Sequence, residues 1–141
     1  MTMLQHLDFK AIALGVMTNL AGSLLLALVL LSLVSVYLGQ QGLDQQQIQK
    51  VLTTPTESLS LTLLILLVGS GADFASGYVT GKFAPHLELW HALIMMLIVL
   101  AVHFSLTDSA RLGLGFALSQ AVVGLVAALW GGGKAKRSKR G

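Results

Sequence analysis

Four polar side chains stand inside segments that are otherwise apolar, and their chemistry needs an explanation. They are Asn19, Asp73, His91 and Gln120. A carboxylate in hydrocarbon costs about 2.5–3.5 kcal/mol on insertion scales, so we expect Asp73 to face other helices, as a hydrogen-bonding residue or as a proton or ligand site. Asn19 and Gln120 cannot ionise and are expected to hydrogen-bond between helices. His91 stands near a predicted helix start, which favours a structural or interfacial role.

These side chains are predicted to share one depth in a helical bundle. Asn19 follows Lys10 by nine residues, and Asp73 precedes Lys82 by nine residues. At 1.5 Å per residue, each lies about 13 Å from the same end of the bundle. Similar counts apply to the other two side chains, so the spacing predicts a polar layer to which every helix contributes. His103 stands near the opposite end of its helix, where we expect it to be solvated.

No enzyme motif accompanies these residues. The chain has no cysteine, which excludes disulfides and thiolate chemistry, and its ten His, Asp and Glu residues are scattered. The HExxH and GxSxG motifs and a glycine-rich phosphate loop are missing. We therefore expect no enzymatic activity, no catalytic residue, no metal site and no cofactor. A nucleic-acid partner is not expected either, because the basic residues are concentrated at the C-terminus.

The composition indicates what must position the polar side chains. Of the 141 residues, 55% are hydrophobic and 11% are charged, whereas soluble domains carry about 25% charged residues. The apolar residues fall into four blocks, each long enough to cross a hydrocarbon core of about 30 Å. We predict an all-α integral membrane four-helix bundle, antiparallel and up-down-up-down, over residues 1–133, with a basic tail over residues 134–141. The predicted helices are about 11–38, 55–80, 85–104 and 108–130. Residues 40–53 form either a short surface helix or a solvated loop.

Prolines and glycines mark the predicted helix ends. Thr54 is a candidate N-cap, with Pro55 at the first helical position and Glu57 completing a capping box. Pro85 is predicted to begin the third helix in the same way. The glycines at 131–133 predict the end of the fourth helix.

Small residues recur at a spacing of four along the predicted helices, which favours close helix packing. Those predicted to pack are Gly15, Ser23, Gly69, Gly77, Gly81, Ala117, Ala121 and Gly124. The depth counts set Gly15 level with Gly77, and Ser23 level with Gly69, when the first two helices pack antiparallel. The fourth helix carries more small-residue surface than one neighbour needs, so we expect a homo-oligomer or a membrane-protein partner.

The basic residues predict the orientation in the bilayer. Five of the nine Lys and Arg residues lie near the C-terminus: Lys134, Lys136, Arg137, Lys139 and Arg140. With both termini cytoplasmic, seven Lys and Arg residues face the cytoplasm and two face outward, as the positive-inside rule favours. The tail either only fixes this topology or also binds anionic lipid head groups.

One short segment suggests a family. Residues 77–85 read GYVTGKFAP and are followed six residues later by His91. This resembles the G-Y-x-x-G-[KR]-x-A-P…H stretch of small four-helix bacterial inner-membrane proteins of unknown function. The resemblance implies a multi-pass protein of the bacterial plasma (inner) membrane and assigns no activity to any residue.

Two functions are open at this point. The leading hypothesis is a structural or assembly component that acts through helix–helix association. The alternative is a small oligomeric transporter or channel that uses Asp73, in which several copies would be needed because four helices enclose little space. The carboxylate separates the two, since only transport requires its charge or its proton.

Overall fold

The computed structural model describes residues 7–106 and 114–139, and every regular element assigned there is helical. Within these residues, five α-helices follow one another: α1 (Phe9–Gln40), α2 (Gln45–Thr53), α3 (Leu59–Phe83), α4 (Glu88–Leu106) and α5 (Leu114–Ser138). All except α2 are long and apolar enough to span a membrane. The predicted all-helical class is confirmed at this level, and the four long helices fit a multi-pass membrane protein.

The start of α1 is set by Asp8. Its Oδ1 accepts hydrogen bonds from the backbone N–H groups of Lys10 at 2.8 Å and Ala11 at 3.3 Å, which makes it an N-cap. The helix therefore begins slightly earlier than predicted and also ends slightly later. Its buried residues all belong to its first half: Ala11, Ile12, Gly15 and Asn19.

The connection between α1 and α3 contains the short helix α2, so the helical alternative for residues 40–53 is the one observed. A capping box begins it. Oδ1 of Asp44 accepts from the backbone N–H of Gln47 at 2.8 Å, and Oε1 of Gln47 accepts from the backbone N–H of Asp44 at 2.9 Å. The backbone N–H groups of Asp44 and Gln47, which have no carbonyl partner in the first turn of the helix, are thereby hydrogen-bonded.

The capping box predicted at Thr54 is wrong. The hydroxyl of Thr54 donates to the carbonyl of Lys50 at 2.9 Å, at the end of α2, and its oxygen accepts no hydrogen bond from the backbone N–H groups that follow. Pro55–Glu57 forms a turn of 3-10 helix instead. The α3 helix starts after Ser58, whose Oγ accepts from the backbone N–H three residues later at 3.4 Å, and it continues past its predicted end to Phe83.

The α4 helix begins at Glu88 and not at Pro85 as predicted. Ala84 is extended, with φ −66° and ψ 127°, as proline favours for the residue before it. Leu87 has φ 53°, in the left-handed region, so the chain turns once more before the helix. The carbonyl of Leu87 then accepts from the backbone N–H groups of the third and fourth residues after it, at 2.9 and 3.1 Å. The helix extends at least to Leu106, the last described residue before the gap and two residues beyond the predicted end.

The α5 helix does not end at the glycines of positions 131–133 but runs through them. The physical reason is close packing. A Cβ at Gly131 would overlap the backbone carbonyl of Phe74, and a Cβ at Gly132 would lie 2.9 Å from the Cβ of Ala92. These glycines therefore bring α5 against α3 and α4, and packing outweighs their low intrinsic helix propensity.

The basic residues that follow are consequently helical rather than a separate tail. Lys134, Lys136 and Arg137 lie on the last turns of α5, and Ala135 between them is buried. The predicted start of this helix at residue 108 lies outside the described residues, and so does Arg140.

The α3 helix packs with two different faces. Asp73 and Ser76 lie on the face toward α1, since both contact Asn19. Gly77 and Gly81 face α5, because a Cβ at Gly77 would overlap the carbonyl of Ala128 and a Cβ at Gly81 would lie 3.0 Å from the Cα of Gly132. The predicted pairing of Gly77 with Gly15 is therefore wrong.

Gly15 instead packs where α1 meets α3 and α4. A Cβ at Gly15 would overlap Oγ1 of Thr80 and lie 2.9 Å from Cγ of Met95. Gly77 and Gly81 of α3 pack against α5 instead, and α5 also has small residues at this contact, so that the two backbones approach closely.

Burial is concentrated in one half of the bundle, which we name the packed half: residues 9–19 of α1, 72–84 at the end of α3, 88–99 of α4 and 124–135 of α5. Its apolar core contains Ile12, Met95, Met96, Val99 and Ala128. Among the described residues outside this half, Leu61 alone is buried. The helices are therefore tightly joined at one end of the bundle and loosely joined at the other.

Candidate functional site

A buried hydrogen-bonded cluster joins α1 to α3 at the edge of the packed half. Nδ2 of Asn19 donates to Oδ1 of Asp73 at 2.7 Å and to Oγ of Ser76 at 3.2 Å. The Ser76 hydroxyl donates to the backbone carbonyl of Asp73 at 2.8 Å, which leaves its oxygen free to accept from Asn19. The predicted contact between the first two long helices at these two residues is present. Both side chains are buried, with Asn19 3% and Asp73 9% exposed.

Gly124 of α5 makes room for the carboxylate. A Cβ at Gly124 would lie 2.5 Å from Oδ2 of Asp73 and 2.7 Å from Cε of Met96. Within residues 7–106 and 114–139, every buried side-chain nitrogen and oxygen has a hydrogen-bond partner. Oδ2 accepts no hydrogen bond from these residues, so it is not sealed in protein and remains accessible from the cavity that Asp73 lines.

This cavity has a volume of about 300 Å³ and receives residues from all four long helices. Its polar lining residues are Asn19, Ser23, Asp73, His103 and Gln120. The remaining walls are apolar apart from Gly69: Leu26, Ala27, Leu30, Leu31, Ile65, Val68, Met96, Val99, Leu100, Phe104, Ala117 and Ala121. No three His, Asp or Glu side chains of the described ranges come together as a metal site. The volume suits a small molecule.

The cavity extends from Asp73 away from the packed half. On α1 its lining runs from Asn19 to Leu31, and on α4 it runs from Met96 to Phe104. On the other side of Asp73, the contacts of Gly15, Gly77 and Gly131 with neighbouring helices leave no room even for a methyl group. The cavity is therefore closed at the packed half, and the Asn19–Asp73 pair lies at the closed end.

His91 does not belong to this layer, contrary to the prediction from depth. Its ring is fully buried at the start of α4, where Nε2 accepts from the backbone N–H of Asp8 at 2.8 Å. Nδ1 lies 3.0 Å from the carbonyl of Leu87 and donates to it, since Nε2 is the acceptor. This neutral imidazole ties the start of α1 to the turn before α4, which is a structural role.

His103 is exposed, as its position near the end of α4 predicts, and it also lines the cavity. The signal for this was present in the sequence. Met96, Val99 and His103 follow one another at spacings of three and four, which places them on one helix face. Once the face of Met96 is known to be interior, His103 must point to the same side.

The predicted packing residues of α5 divide into two groups. Gly124 packs against Asp73, whereas Ala117 and Ala121 line the cavity together with Gln120. On α3, a Cβ added at Gly81 would lie 3.0 Å from the Cβ of Ala135 and 3.0 Å from the Cα of Gly132, so Gly81 also belongs to the contact with α5. Gly69 and Ser23, predicted to pack on each other, both line the cavity.

One basic residue predicted to contact lipid is used inside the chain. Nζ of Lys139 donates to the carbonyl of Ala84 and lies 3.7 Å from Oε1 of Glu88. It thus joins the end of α5 to the α3–α4 connection. Lys134 and Arg137 are exposed.

Comparison with known proteins identifies no family for this chain. A functional proposal therefore depends on the cavity, its carboxylate and the packing beyond it. No protein-family model, no curated protein and no solved structure matches the chain.

Proposed function

We propose that this chain is a multi-pass carrier of the bacterial inner membrane that takes a small solute into the cavity at Asp73. In this proposal the four long helices run antiparallel, up-down-up-down, with both termini cytoplasmic. The packed half then lies toward the cytoplasm and the cavity toward the outside, so the structure corresponds to an outward-facing form. Transport requires a second form in which the packed half opens.

The observation that carries the proposal is the position of Asp73 at the closed end of the cavity. An ionisable side chain within a membrane span is costly, and it typically marks a substrate or ion pathway when it faces a cavity. Asp73 has one oxygen held by Asn19 and the other accessible from the cavity. A carboxylate that served only to join helices would be satisfied by protein on both oxygens.

The assembly role, favoured by the sequence, has less support from these contacts. The assembly hypothesis requires small residues that are not packed within the bundle and could therefore contact a second chain. Gly77, Gly81 and Gly124 pack on other helices of the same chain, and Ala117 and Ala121 line the cavity. The cavity also forms within one chain, so several copies are not needed to enclose it.

Cysteine labelling tests the proposal without knowledge of the solute, because the chain has no native cysteine. Ser23 lines the cavity and Ser76 is fully buried just beyond Asp73, so Ser23→Cys and Ser76→Cys are matched, nearly isosteric variants. In proteoliposomes, a charged membrane-impermeant thiosulfonate should label Cys at 23 from the outside only. Cys at 76 should react slowly and from the cytoplasmic side, as the second form is visited.

Exposed positions supply the controls for sidedness: Gln46→Cys in α2 and Lys134→Cys in α5. If position 76 stays unreactive from both sides while the controls label, the chain does not alternate, and the carrier proposal is wrong.

The proposed orientation predicts an effect of the basic residues. Replacing Lys134, Lys136 and Arg137 by Gln removes three cytoplasmic charges and should lower the fraction of molecules with a cytoplasmic C-terminus, measured with reporter fusions. Substitution is a sharper test than deletion, because deletion would also remove the buried Ala135 and the link made by Lys139. Unchanged topology with weaker binding to anionic vesicles would instead assign these residues to lipid recognition.

A further inference from the structure

Among the described residues, few ionisable side chains line the cavity. Asp73 and His103 are its titratable lining residues, and the other polar groups there are two amides and one hydroxyl. The carboxylate receives a hydrogen bond from Asn19 on Oδ1, while Oδ2 has no donor among the described residues. In a low-dielectric cavity, the ligand that best compensates such an oxygen is a positive charge.

The walls indicate what else that ligand must be. Away from Asp73 most of the lining is aliphatic, with Phe104 and His103 at the far end and with Ser23 and Gln120 as the other polar side chains. A hydrated metal ion gains nothing from such walls, since Mg²⁺ and Ca²⁺ need several oxygen ligands. Burial of an apolar body against these side chains is favourable in proportion to its area.

We infer that the ligand of this cavity is a monovalent organic cation with an apolar body. Its positive group lies beside Oδ2 of Asp73, and its apolar part extends along α1 and α4 toward Phe104. This inference rests on the proposed function, because it names the class of solute that the carrier takes.

The test uses isosteric probes on the purified full chain in detergent, with binding measured by calorimetry. Benzyltrimethylammonium carries a quaternary nitrogen, and neopentylbenzene has the same shape with carbon in its place. Tetramethylammonium keeps the charge and lacks the apolar body. We expect the first to bind at least about tenfold more tightly than either of the others, because only it satisfies both the carboxylate and the walls.

Variants of the cavity distinguish the contribution of the Asp73 charge to binding from the contribution of the cavity volume. Asp73→Asn should weaken binding of benzyltrimethylammonium about tenfold or more, whereas Glu57→Gln, an exposed carboxylate outside the long helices, should not change it. Ala121→Leu fills the cavity and should abolish binding. If Asp73→Asn fails to fold, His103→Lys replaces it: a fixed positive charge in the cavity should also lower the affinity for this cation about tenfold.

The possible failures point to different errors. Equal binding of neopentylbenzene, with binding lost in Ala121→Leu but kept in Asp73→Asn, would overturn the cationic ligand and leave a carrier of neutral solutes. Unchanged or tighter binding of benzyltrimethylammonium in His103→Lys would contradict the placement of its positive group in this cavity. Binding of the cation that Ala121→Leu leaves unchanged, or no binding to the wild type, would also overturn the inference, while the labelling of Ser76→Cys reports on the carrier independently.

Discussion

Gly77→Ala should destabilise the folded bundle by about 2–3 kcal/mol, although it adds a single methyl group to a helix. The added Cβ would overlap the backbone carbonyl of Ala128 on α5. A backbone cannot rotate away as a flexible side chain can, so α3 and α5 must separate along their whole contact. The measurement is the midpoint of unfolding in mixed micelles, followed by circular dichroism.

Gly71→Ala is the matched control for this experiment, in the same helix with the same substitution. Gly71 is exposed, and nothing lies within 4 Å of the position a Cβ would take. Alanine there should be neutral or stabilise the helix by up to about 1 kcal/mol, because glycine is the poorer helix former. Equal destabilisation by both substitutions would contradict the packing of α3 on α5.

Asn19→Leu should have the second largest effect on stability. It leaves Asp73 without its donor on Oδ1 while the side chain stays buried, and a buried acceptor without a partner costs about 1–3 kcal/mol. Asp73→Leu should cost less in the presence of Asn19→Leu than in the wild type, because the unpaired carboxylate is then removed. The double-mutant cycle of unfolding free energies measures this coupling.

Ser70→Ala is the control for Asn19→Leu, because it removes a hydrogen bond in α3 that lies outside the Asn19–Asp73 cluster. The Ser70 hydroxyl donates to the carbonyl of Leu67 in its own helix at 2.8 Å and is not part of the cluster, so its loss should be nearly neutral. Additive costs for Asn19→Leu and Asp73→Leu would show that the hydrogen bond between them contributes nothing to stability.

The contact between Asn19 and Asp73 could be predicted from the sequence because it depends only on a constant helical rise. Both residues were counted from a charged residue at a common end, and neither count crosses a turn. The count for His91 does cross one. Residues 84–87 do not continue a helix, since Ala84 is extended and Leu87 is in the left-handed region. The imidazole of His91 therefore contacts Asp8 near the end of the bundle. Local backbone conformations of this kind are not encoded in periodicity.

Glycine shows a second limit of sequence reasoning. The run at 131–133 is a strong local signal for a helix end, yet the backbone of Phe74 lies where a side chain at Gly131 would be. Whether a glycine ends a helix or lets another helix approach depends on what lies opposite, and a single sequence does not contain that information. The cavity could not be predicted for the same reason. Ala117 and Ala121 line it because of how the helices are arranged around them, and the sequence alone does not give that arrangement.

The uneven burial of α1 makes the bilayer itself part of the architecture. With 32 residues the helix is about 48 Å long, against a hydrocarbon thickness of about 30 Å. Its buried residues end at Asn19, so few protein contacts hold the half that borders the cavity. A helix longer than the membrane tilts to bury its apolar length, and the tilt depends on membrane thickness. Because contacts of Gly15 and Asn19 fix the first half of α1, we expect a thinner bilayer to move the second half, so that the width of the cavity varies with lipid chain length.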